Sequence, residues 1–139
     1  MFTPVSMRSA NTYKTIGVET SILGASPHQL VTLLFDALQQ SLAIAKGAIL
    51  SGDISAKGRA IGKAVRILEE GLKAGLDADR GGEIAANLRT VYDVCILRLT
   101  EANFRNDAAI IDEVILLIAP VCDGWRQIKG DAAVQSYRN

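Results

Sequence analysis

The chain has 139 residues, the length of one domain, and its 15 basic and 15 acidic residues balance to a formal net charge of zero. Hydrophobic residues make up 49% and charged residues 22%, which is typical of a globular protein and not of a disordered one. Zero net charge argues against nucleic acid and against an anionic membrane surface as partners, because both attract basic proteins. The mean hydropathy of +0.21 is high for a soluble domain. Either the core is large, therefore, or some apolar surface stays open for a partner.

Residues 1–25 carry isolated apolar side chains without a clear period. They predict a mobile N-terminal arm, or a short capping helix over residues 12–23. A helical bundle is expected over residues 26–130, followed by a frayed tail over 131–139.

Neither a signal peptide nor a membrane span is expected. Residues 1–9 contain no continuous apolar stretch. The longest apolar run, residues 114–122, is too short to cross a bilayer. The sequence therefore predicts a cytoplasmic protein without membrane insertion.

A first helix is predicted from Ser26, which can form a capping box with Gln29, and Pro27 fits the first helical position. It should end near Ser51 and Gly52. Its core stripe follows helical spacing and consists of Leu30, Leu34, Ala37, Leu38, Ala45 and Ala48. Four further apolar residues lie off that stripe, namely Val31, Phe35, Leu42 and Ile49.

A second, amphipathic helix should begin after the capping residue Asp53. Its single apolar stripe consists of Ile54, Ile61, Ala64, Val65, Leu68 and Leu72. Its interior also carries Gly58, Gly62, Gly71 and Gly75. Each glycine should cost roughly 1 kcal/mol relative to alanine. We therefore expect a neighbouring backbone to approach closely at these positions.

Two more helices complete the pattern. Residues 79–82 break the chain, and a third helix should run from about Gly82 to Arg105. Its core stripe is Ile84, Leu88, Val91, Tyr92, Cys95, Leu99 and Ala102. A fourth helix should run from Ala108 to about Lys129, with Trp125 as a buried anchor. Its stripe is Ile111, Val114, Ile115, Ile118, Val121, Cys122, Trp125 and Ile128. Pro120 predicts a kink near Leu116.

Four helices of similar length with short links predict an all-α fold, an antiparallel up-down four-helix bundle. The sequence contains no recognisable motif for catalysis or metal binding. His28 is the only histidine, no Glu-x-x-His spacing occurs, and the Gly81-Gly82 pair lacks the lysine of a P-loop. Cys95 and Cys122 lack a CxxC spacing and are expected to be buried, reduced thiols. We expect no cofactor, no metal and no enzymatic activity.

Apolar residues on the polar faces of the last two helices are the one unexplained feature. Ile96 and Leu97 lie among polar residues of the third helix, and Leu116 and Leu117 among those of the fourth. A wide core would explain them, and so would a groove that accepts a helix from a partner. The sequence leaves both interpretations open.

Motifs in chain order resemble the flagellin export chaperones, the FliS family, from about residue 13 to residue 129. The matching stretches are Ser26–Leu30, Leu34–Asp36, Ala56–Gly58, Gly71–Asp77, Gly81–Ala85, Asn87–Leu88, Tyr92, Leu99, Ala102–Asn103, Arg105–Ala108, Glu113–Val114 and Trp125. Pro120 departs from the family pattern.

The resemblance implies a cytoplasmic chaperone that binds the C-terminal segment of flagellin, prevents its premature polymerisation and aids type III flagellar export. Whether the export gate or a flagellar regulator also binds is left open. Tyr13 matches a tyrosine in the family's N-terminal arm, which covers a client-binding surface in the free protein, and Ile16 is its neighbour. The alternative is a structural or regulatory bundle without a disordered client. An enzyme is disfavoured, because no catalytic residues cluster.

Overall fold

Four α-helices and one π-helical segment make up residues 26–76 and 78–128, the part of the chain that the computed structural model describes (side chains of 78–80 excepted). They are α1 (Pro27–Ser51), α2 (Ile54–Arg66), the π-helical segment Ile67–Lys73, α3 (Ala78–Arg105) and α4 (Ala108–Ile128). These ranges contain no strand. The all-α four-helix prediction is confirmed, while the predicted arm and tail lie outside the described residues.

The start of α1 has the predicted caps. The hydroxyl of Ser26 accepts a hydrogen bond from the Gln29 amide at 3.1 Å, and the Gln29 side chain accepts one from the Ser26 amide at 2.8 Å. This reciprocal pair satisfies two donors that a helix start leaves unpaired. The helix ends at Gly52, whose φ of 76° is a left-handed conformation that favours glycine.

The glycines of the second helix have a different explanation from the expected one. A Cβ at Gly58 or Gly62 would meet nothing within 4 Å, so no neighbouring backbone approaches there. A Cβ at Gly71 would stand 3.0 Å from the Leu34 side chain. The expectation of close backbone packing is therefore wrong at Gly58, Gly62 and Gly71, and it stays a prediction at Gly75. Gly71 instead leaves room for a core leucine, and it lies inside the π-helical segment.

The predicted break before α3 is present in another form. Helical hydrogen bonding begins at Ala78, and the backbone of Gly82 leaves the helical region with φ 54° and ψ −128°. The break thus lies inside the element and not in front of it. At the other end, Asn106 has φ 53° and the Asp107 carboxylate accepts a bond from the Ala109 amide at 2.9 Å, which starts α4.

Helix α4 continues through Pro120 to Ile128. The kink near Leu116 stays a prediction.

Contacts between α1 and α4 show that these helices run in opposite directions. His28, near the start of α1, bonds with Trp125 near the end of α4. Lys46, near the end of α1, pairs with Asp112 near the start of α4 at 2.8 Å. The last residues of α4 therefore lie beside the first residues of α1.

Lys57 connects α2 to the end of α3. Its side chain is only 6% exposed, and its ammonium donates to the Asn103 carbonyl at 3.0 Å and to the Asn106 side-chain oxygen. The last carbonyls of a helix lack partners and carry partial negative charge. Lys57 therefore caps α3 from a neighbouring helix.

The core collects one face from every helix. Its largest fully buried side chains are Phe35, Leu34, Leu38, Leu42, Ile67, Leu68, Leu99, Ile111, Ile118, Val114 and Cys95. Val31, Phe35 and Leu42, expected to lie off the main stripe, belong to this core. The reason is that α1 packs against both α2 and α4, so it buries two adjoining faces.

Some predicted core positions are exposed instead. Ile54 is 71% and Ile84 63% exposed, and Ile128 is partly exposed. Ile54 begins α2, Ile84 follows the break at Gly82, and Ile128 is the last residue of α4. Periodicity places them on the core stripe, but at these helix ends none of the described elements covers them. Trp125, the predicted anchor, packs against the core and is only partly buried.

Among the described residues, α1 alone is long and apolar enough by composition to cross a membrane. Core helices of soluble proteins pass the same test. The leucines of α1, from Leu30 to Leu42, pack against the other helices, except for the half-buried Leu33. This helix is therefore weak evidence for a membrane span.

Candidate partner-binding surface

Of the ten exposed large apolar side chains in the described residues, seven lie on α3 and α4, two helices that pack against each other. Six of them, without Phe104 at the end of α3, form the surface called here the α3–α4 seam. They are Ile84, Val94 and Leu97 on α3, and Leu116, Leu117 and Ile128 on α4. Leu97 is 70% and Leu116 73% exposed. Exposed apolar side chains that form a contiguous patch mark interaction sites, whereas singly scattered ones need no explanation. This group is therefore the candidate partner-binding surface.

Arg98 marks where the two helices face each other. Its Nε donates to the Glu113 carboxylate on α4 at 2.9 Å, and its Nη1 donates to Glu101 on α3 at 2.5 Å. The hydrogen bond to Glu113 is the largest cause that raises the pKa of Arg98. This polar cluster closes the seam on the side of the α3–α4 connection.

Two apolar residues stand one helical turn beyond that cluster. Val94 precedes Arg98 by four residues, and Leu117 follows Glu113 by four. Residues four apart share a helix face, so Val94 and Leu117 lie at the centre of the seam, and both are partly exposed. Leu97 lies four residues after Asp93 and Leu116 four residues after Asp112, so both are on the outer, solvent-facing sides of their helices.

Ile96 lies on a different side of α3. It is half-buried against the core. Asp93, three residues earlier and on the same face, pairs at 2.7 Å with Lys73 of the π-helical segment, and this hydrogen bond raises the pKa of Lys73. The face of Ile96 is therefore turned towards the second helix.

The predicted site residues thus divide into three groups. Leu97, Leu116 and Leu117 belong to the exposed set on α3 and α4, and Ile96, which is half-buried against the core, does not. Tyr13 and Ile16 lie outside the described residues.

Sequence reasoning missed Val94, Ile84 and Ile128 as parts of this surface. The spacing of Val94 and Leu97, three residues apart and off the core stripe of α3, was a usable signal for Val94. For Ile84 and Ile128 no such signal exists. Their periodicity is that of core residues, and only the end of the packing exposes them.

A second apolar group lies at the end of the bundle where α1 ends and α2 begins. Phe104 is 88% exposed, and Leu50 and Ile54 are each 71% exposed. An open cleft of about 200 Å³ lies beside Ile54. Its lining residues are Ala48, Ile49, Gly52, Asp53, Ile54, Lys57 and Asn106.

The opposite end of the bundle holds the first turn of α1 and the last turns of α4. The His28 ring stacks on the Trp125 indole with centroids 4.8 Å apart, and its Nε2 donates to the Trp125 carbonyl at 2.9 Å. The indole Nε1 donates to the His28 carbonyl and to the Thr32 hydroxyl, each at 3.2 Å. These contacts hold the first turn of α1 against the last turns of α4, next to Ser26.

The thiols are enclosed, as predicted. Cys95 and Cys122 are both buried and unpaired with each other, and burial raises the pKa of each to about 11. Neither forms a thiolate at neutral pH. Within 26–76 and 78–128, no three residues among histidine, cysteine, aspartate and glutamate are grouped so that they could hold a metal ion.

Comparison with known proteins identifies the family. Residues 9–132 match the family described as "Flagellar protein FliS". The chain is 46% identical over 126 residues to the flagellar secretion chaperone FliS of Salmonella typhimurium, an alignment that covers 91% of this chain and 93% of that one. It is 41% identical over 120 residues to the flagellar secretion chaperone FliSB of Pseudomonas aeruginosa, covering 86% and 94%. It is 35% identical over 120 residues to the Escherichia coli FliS, covering 86% and 88%. The chain therefore belongs to the FliS family of flagellar proteins.

Proposed function

We propose that this protein is a cytoplasmic flagellar secretion chaperone, without enzymatic activity, that binds the C-terminal segment of flagellin. By holding that segment it prevents premature polymerisation and aids type III export. Two kinds of support carry the proposal. Relatives of similar length are named flagellar secretion chaperones, and the α3–α4 seam is an open apolar surface next to a polar cluster.

The seam suits an amphipathic client segment. A helix that lies in a groove presents apolar residues three and four positions apart, at the spacing at which Val94 and Leu97 are placed along α3. Covering Leu97 and Leu116 removes apolar surface from water on both partners. A client whose own apolar face is covered in this way has that face blocked for self-assembly, which is the physical basis of the proposed chaperone effect.

The proposed contact residues are Ile96, Leu97, Leu116 and Leu117 in the bundle and Tyr13 and Ile16 in the arm. Ile96, half-buried on another face, contributes mainly by supporting α3 from the core side.

The arm covers the seam when no client is bound. Its root lies at the His28–Trp125 contact, beside the last turns of α4. Tyr13 stands 13 and Ile16 10 residues before Ser26, so they can reach up to about 43 and 33 Å from it at roughly 3.3 Å per residue, whereas α4 is only about 32 Å long at 1.5 Å per residue. The arm is therefore long enough to reach any part of the seam with Tyr13 and Ile16.

A charge placed in the seam tests the proposal. Leu116→Asp should weaken binding of a flagellin C-terminal peptide roughly 30-fold, because the carboxylate is solvated in the free protein and desolvated under the client. Ile44→Asp is the matched control, since Ile44 is 51% exposed on α1, away from the seam. Titration by fluorescence anisotropy, with circular dichroism as a check on folding, gives the result. Equal affinities for the two variants would refute the seam as the binding surface.

Removal of the arm tests its role. A chain that starts at Ala25 should bind the peptide more tightly than the full chain, because a competing segment lowers the apparent affinity by the fraction of closed molecules. Weaker binding by the shortened chain would show that the arm clamps the bound client.

The second candidate function is a structural or regulatory adaptor for a folded partner. The exposed group Leu50, Ile54 and Phe104 favours it, because these residues lie at the far end of the bundle from the arm. Phe104→Ser should then abolish partner capture while flagellin peptide binding is unchanged. Loss of peptide binding in Phe104→Ser would assign this end to the client as well.

A further inference from the structure

Lys57 is a buried cation without an anionic partner among the described residues. Its side chain is only 6% exposed, and its ammonium donates to two uncharged oxygens, the Asn103 carbonyl and the Asn106 side-chain oxygen. An ammonium has three N–H donors, so the third has no acceptor in the part of the chain that the structure describes. Burying a charge is costly when no counter-charge accompanies it. Capping α3 therefore leaves Lys57 with one unused donor and an unneutralised charge.

Lys57 also lines the open cleft at this end of the bundle. The apolar lining comes from the end of α1 and the start of α2, namely Ala48, Ile49 and Ile54. Asn106 adds a side-chain amide, whose NH₂ group is left to donate while its oxygen accepts from Lys57. The cleft thus combines an apolar lining with the N–H donors of two side chains.

Of the described residues that line the cleft, only Asp53 carries a negative charge. Its carboxylate accepts a hydrogen bond from the Ala56 amide at 3.0 Å, as the N-cap of α2. The N–H groups at a helix start carry partial positive charge, which offsets this carboxylate. The buried ammonium of Lys57 therefore makes the cleft complementary to an anionic ligand.

The size of the cleft suits a single residue. Its volume is about 200 Å³, whereas drug-sized ligands occupy clefts of roughly 300–1,000 Å³. The last residue of a polypeptide carries its carboxylate on the same carbon as its side chain. An internal aspartate or glutamate, in contrast, needs a second residue to supply an apolar group. A chain that ends in an apolar residue such as leucine therefore offers both groups at once.

We infer that the cleft beside Lys57 binds the C-terminal residue of a partner polypeptide whose chain ends in an apolar side chain. The terminal carboxylate accepts from Lys57 and from the Asn106 amide, and the side chain lies against Ile49 and Ile54. Hydrogen bonds between an ammonium and a carboxylate are roughly twice as strong as neutral ones. None of the six seam residues lines the cleft, so this binding does not depend on the proposed function.

Two synthetic pentapeptides test the inference on the full-length protein. Both have the sequence Gly-Ser-Gly-Ser-Leu with an acetylated N-terminus, and one ends in a free carboxylate, the other in a carboxamide. Titration is followed by heteronuclear NMR, in which the amide signals of Gly52, Ile54 and Asn106 report on the cleft. The carboxylate peptide should shift these signals and bind at least about tenfold more tightly than the carboxamide. Equal affinities would overturn the inference, as would shifts confined to Leu97 and Leu116.

Ile54→Asp and Leu50→Asp form a matched pair of variants. Both side chains are 71% exposed at the same end of the bundle, but only Ile54 lines the cleft. Ile54→Asp should weaken binding of the carboxylate peptide at least about tenfold, because it removes apolar lining and repels the ligand. Leu50→Asp should change the affinity about twofold or less. With folding checked by circular dichroism, equal losses in the two variants would exclude the cleft as the binding site.

Lys57→Met separates the charge from the apolar lining. The substitution keeps an unbranched apolar side chain and removes the ammonium, so it should abolish the preference for the carboxylate peptide over the carboxamide. A preference that persists would refute the role of Lys57. If this variant does not fold, the comparison of Ile54→Asp with Leu50→Asp decides.

A third peptide distinguishes a chain terminus from an acidic side chain. It has the sequence Gly-Ser-Leu-Asp-Gly, with an acetylated N-terminus and a carboxamide end, and should bind at least about tenfold more weakly than the free-carboxylate peptide. Equal affinity would overturn the recognition of a chain terminus. Leu116→Asp should leave binding of the carboxylate pentapeptide unchanged while weakening that of the flagellin peptide, so the cleft and the seam can fail separately.

Discussion

Helix α1 and the α3–α4 seam both carry more apolar residues than one core stripe requires, but the packing treats them in opposite ways. On α1 the surplus residues Val31, Phe35 and Leu42 are at most 5% exposed. On the seam the surplus residues Leu97 and Leu116 are at least 70% exposed. The difference lies in the neighbours, because α1 packs against two helices over adjoining faces. An apolar residue outside the main stripe is therefore core or interface according to what covers it, and not according to its own helix.

The largest test of this contrast compares one surplus residue from each region. Phe35→Ala should lower the free energy of unfolding by about 3–5 kcal/mol, since the side chain is 1% exposed. Leu116→Ala should change it by about 0.5 kcal/mol or less, as is usual for an exposed position. Urea denaturation of both variants measures the difference. Similar losses would mean that Leu116 packs into the core of the bundle, as Phe35 does.

Trp125 of α4 holds that helix against α1, and its substitution should lower the free energy of unfolding only slightly less than Phe35→Ala does. Trp125→Ala should cost about 3 kcal/mol, because the partly buried indole also donates to the His28 carbonyl and the Thr32 hydroxyl. Trp125→Phe keeps the ring and loses both hydrogen bonds, so about 1 kcal/mol is expected. If Trp125→Ala unfolded at the same temperature as the unmodified protein, Trp125 would not hold α1 against α4.

Two glycines of the second helix give a matched pair with effects of about 1 kcal/mol. Gly62→Ala should stabilise the protein by about 0.5–1 kcal/mol, because the added methyl group meets nothing within 4 Å. Gly71→Ala should destabilise it by about 1 kcal/mol or more, because the methyl group meets the buried Leu34 at 3.0 Å. Thermal melts of the two variants should shift in opposite directions. Stabilisation by both would show that Leu34 moves without cost.

The prediction with the smallest effect at neutral pH concerns the thiol of Cys95 on the buried face of α3. Burial raises the pKa of Cys95 from 9.0 to about 11, so the folded state holds its proton where the unfolded state releases it. Stability is therefore full below pH 9 and decreases between pH 9 and 11. Cys95→Ala should reduce that decrease without altering the pH dependence between 6 and 8. Denaturant unfolding at several pH values measures it, and identical profiles would refute the buried-thiol explanation.

Local chemistry along the sequence is enough to place most helix boundaries. Ser26 and Gln29 cap α1, and Asp53 caps α2 through the Ala56 amide at 3.0 Å. These caps act within one turn of the chain. The Gly82 break was also predictable, because glycine adopts positive φ readily. What residues 79–82 did not show is that helical hydrogen bonding resumes on both sides of that break.

Lys57 illustrates what sequence reasoning could not reach. On the amphipathic pattern of α2 it reads as a solvated lysine, yet it is buried and caps α3 at the Asn103 carbonyl, 46 residues away in the chain. The position of the π-helical segment also depends on contacts between residues far apart in the chain. It places Gly71 against Leu34 of another helix, a contact that no local pattern encodes.

By itself, then, the sequence determined the number of helices, nearly all of their ends and the apolar face of each, because caps and periodicity act within a few residues. The motifs from Ser26 to Trp125 were also sufficient to indicate the FliS family. Only the tertiary structure decided which apolar faces are covered. Phe35 of α1 is buried against the neighbouring helices, and Ile96 is turned towards the second helix. Leu97 and Leu116 remain exposed on α3 and α4. Burial depends on which helices meet, and contacts between residues far apart in the chain determine that.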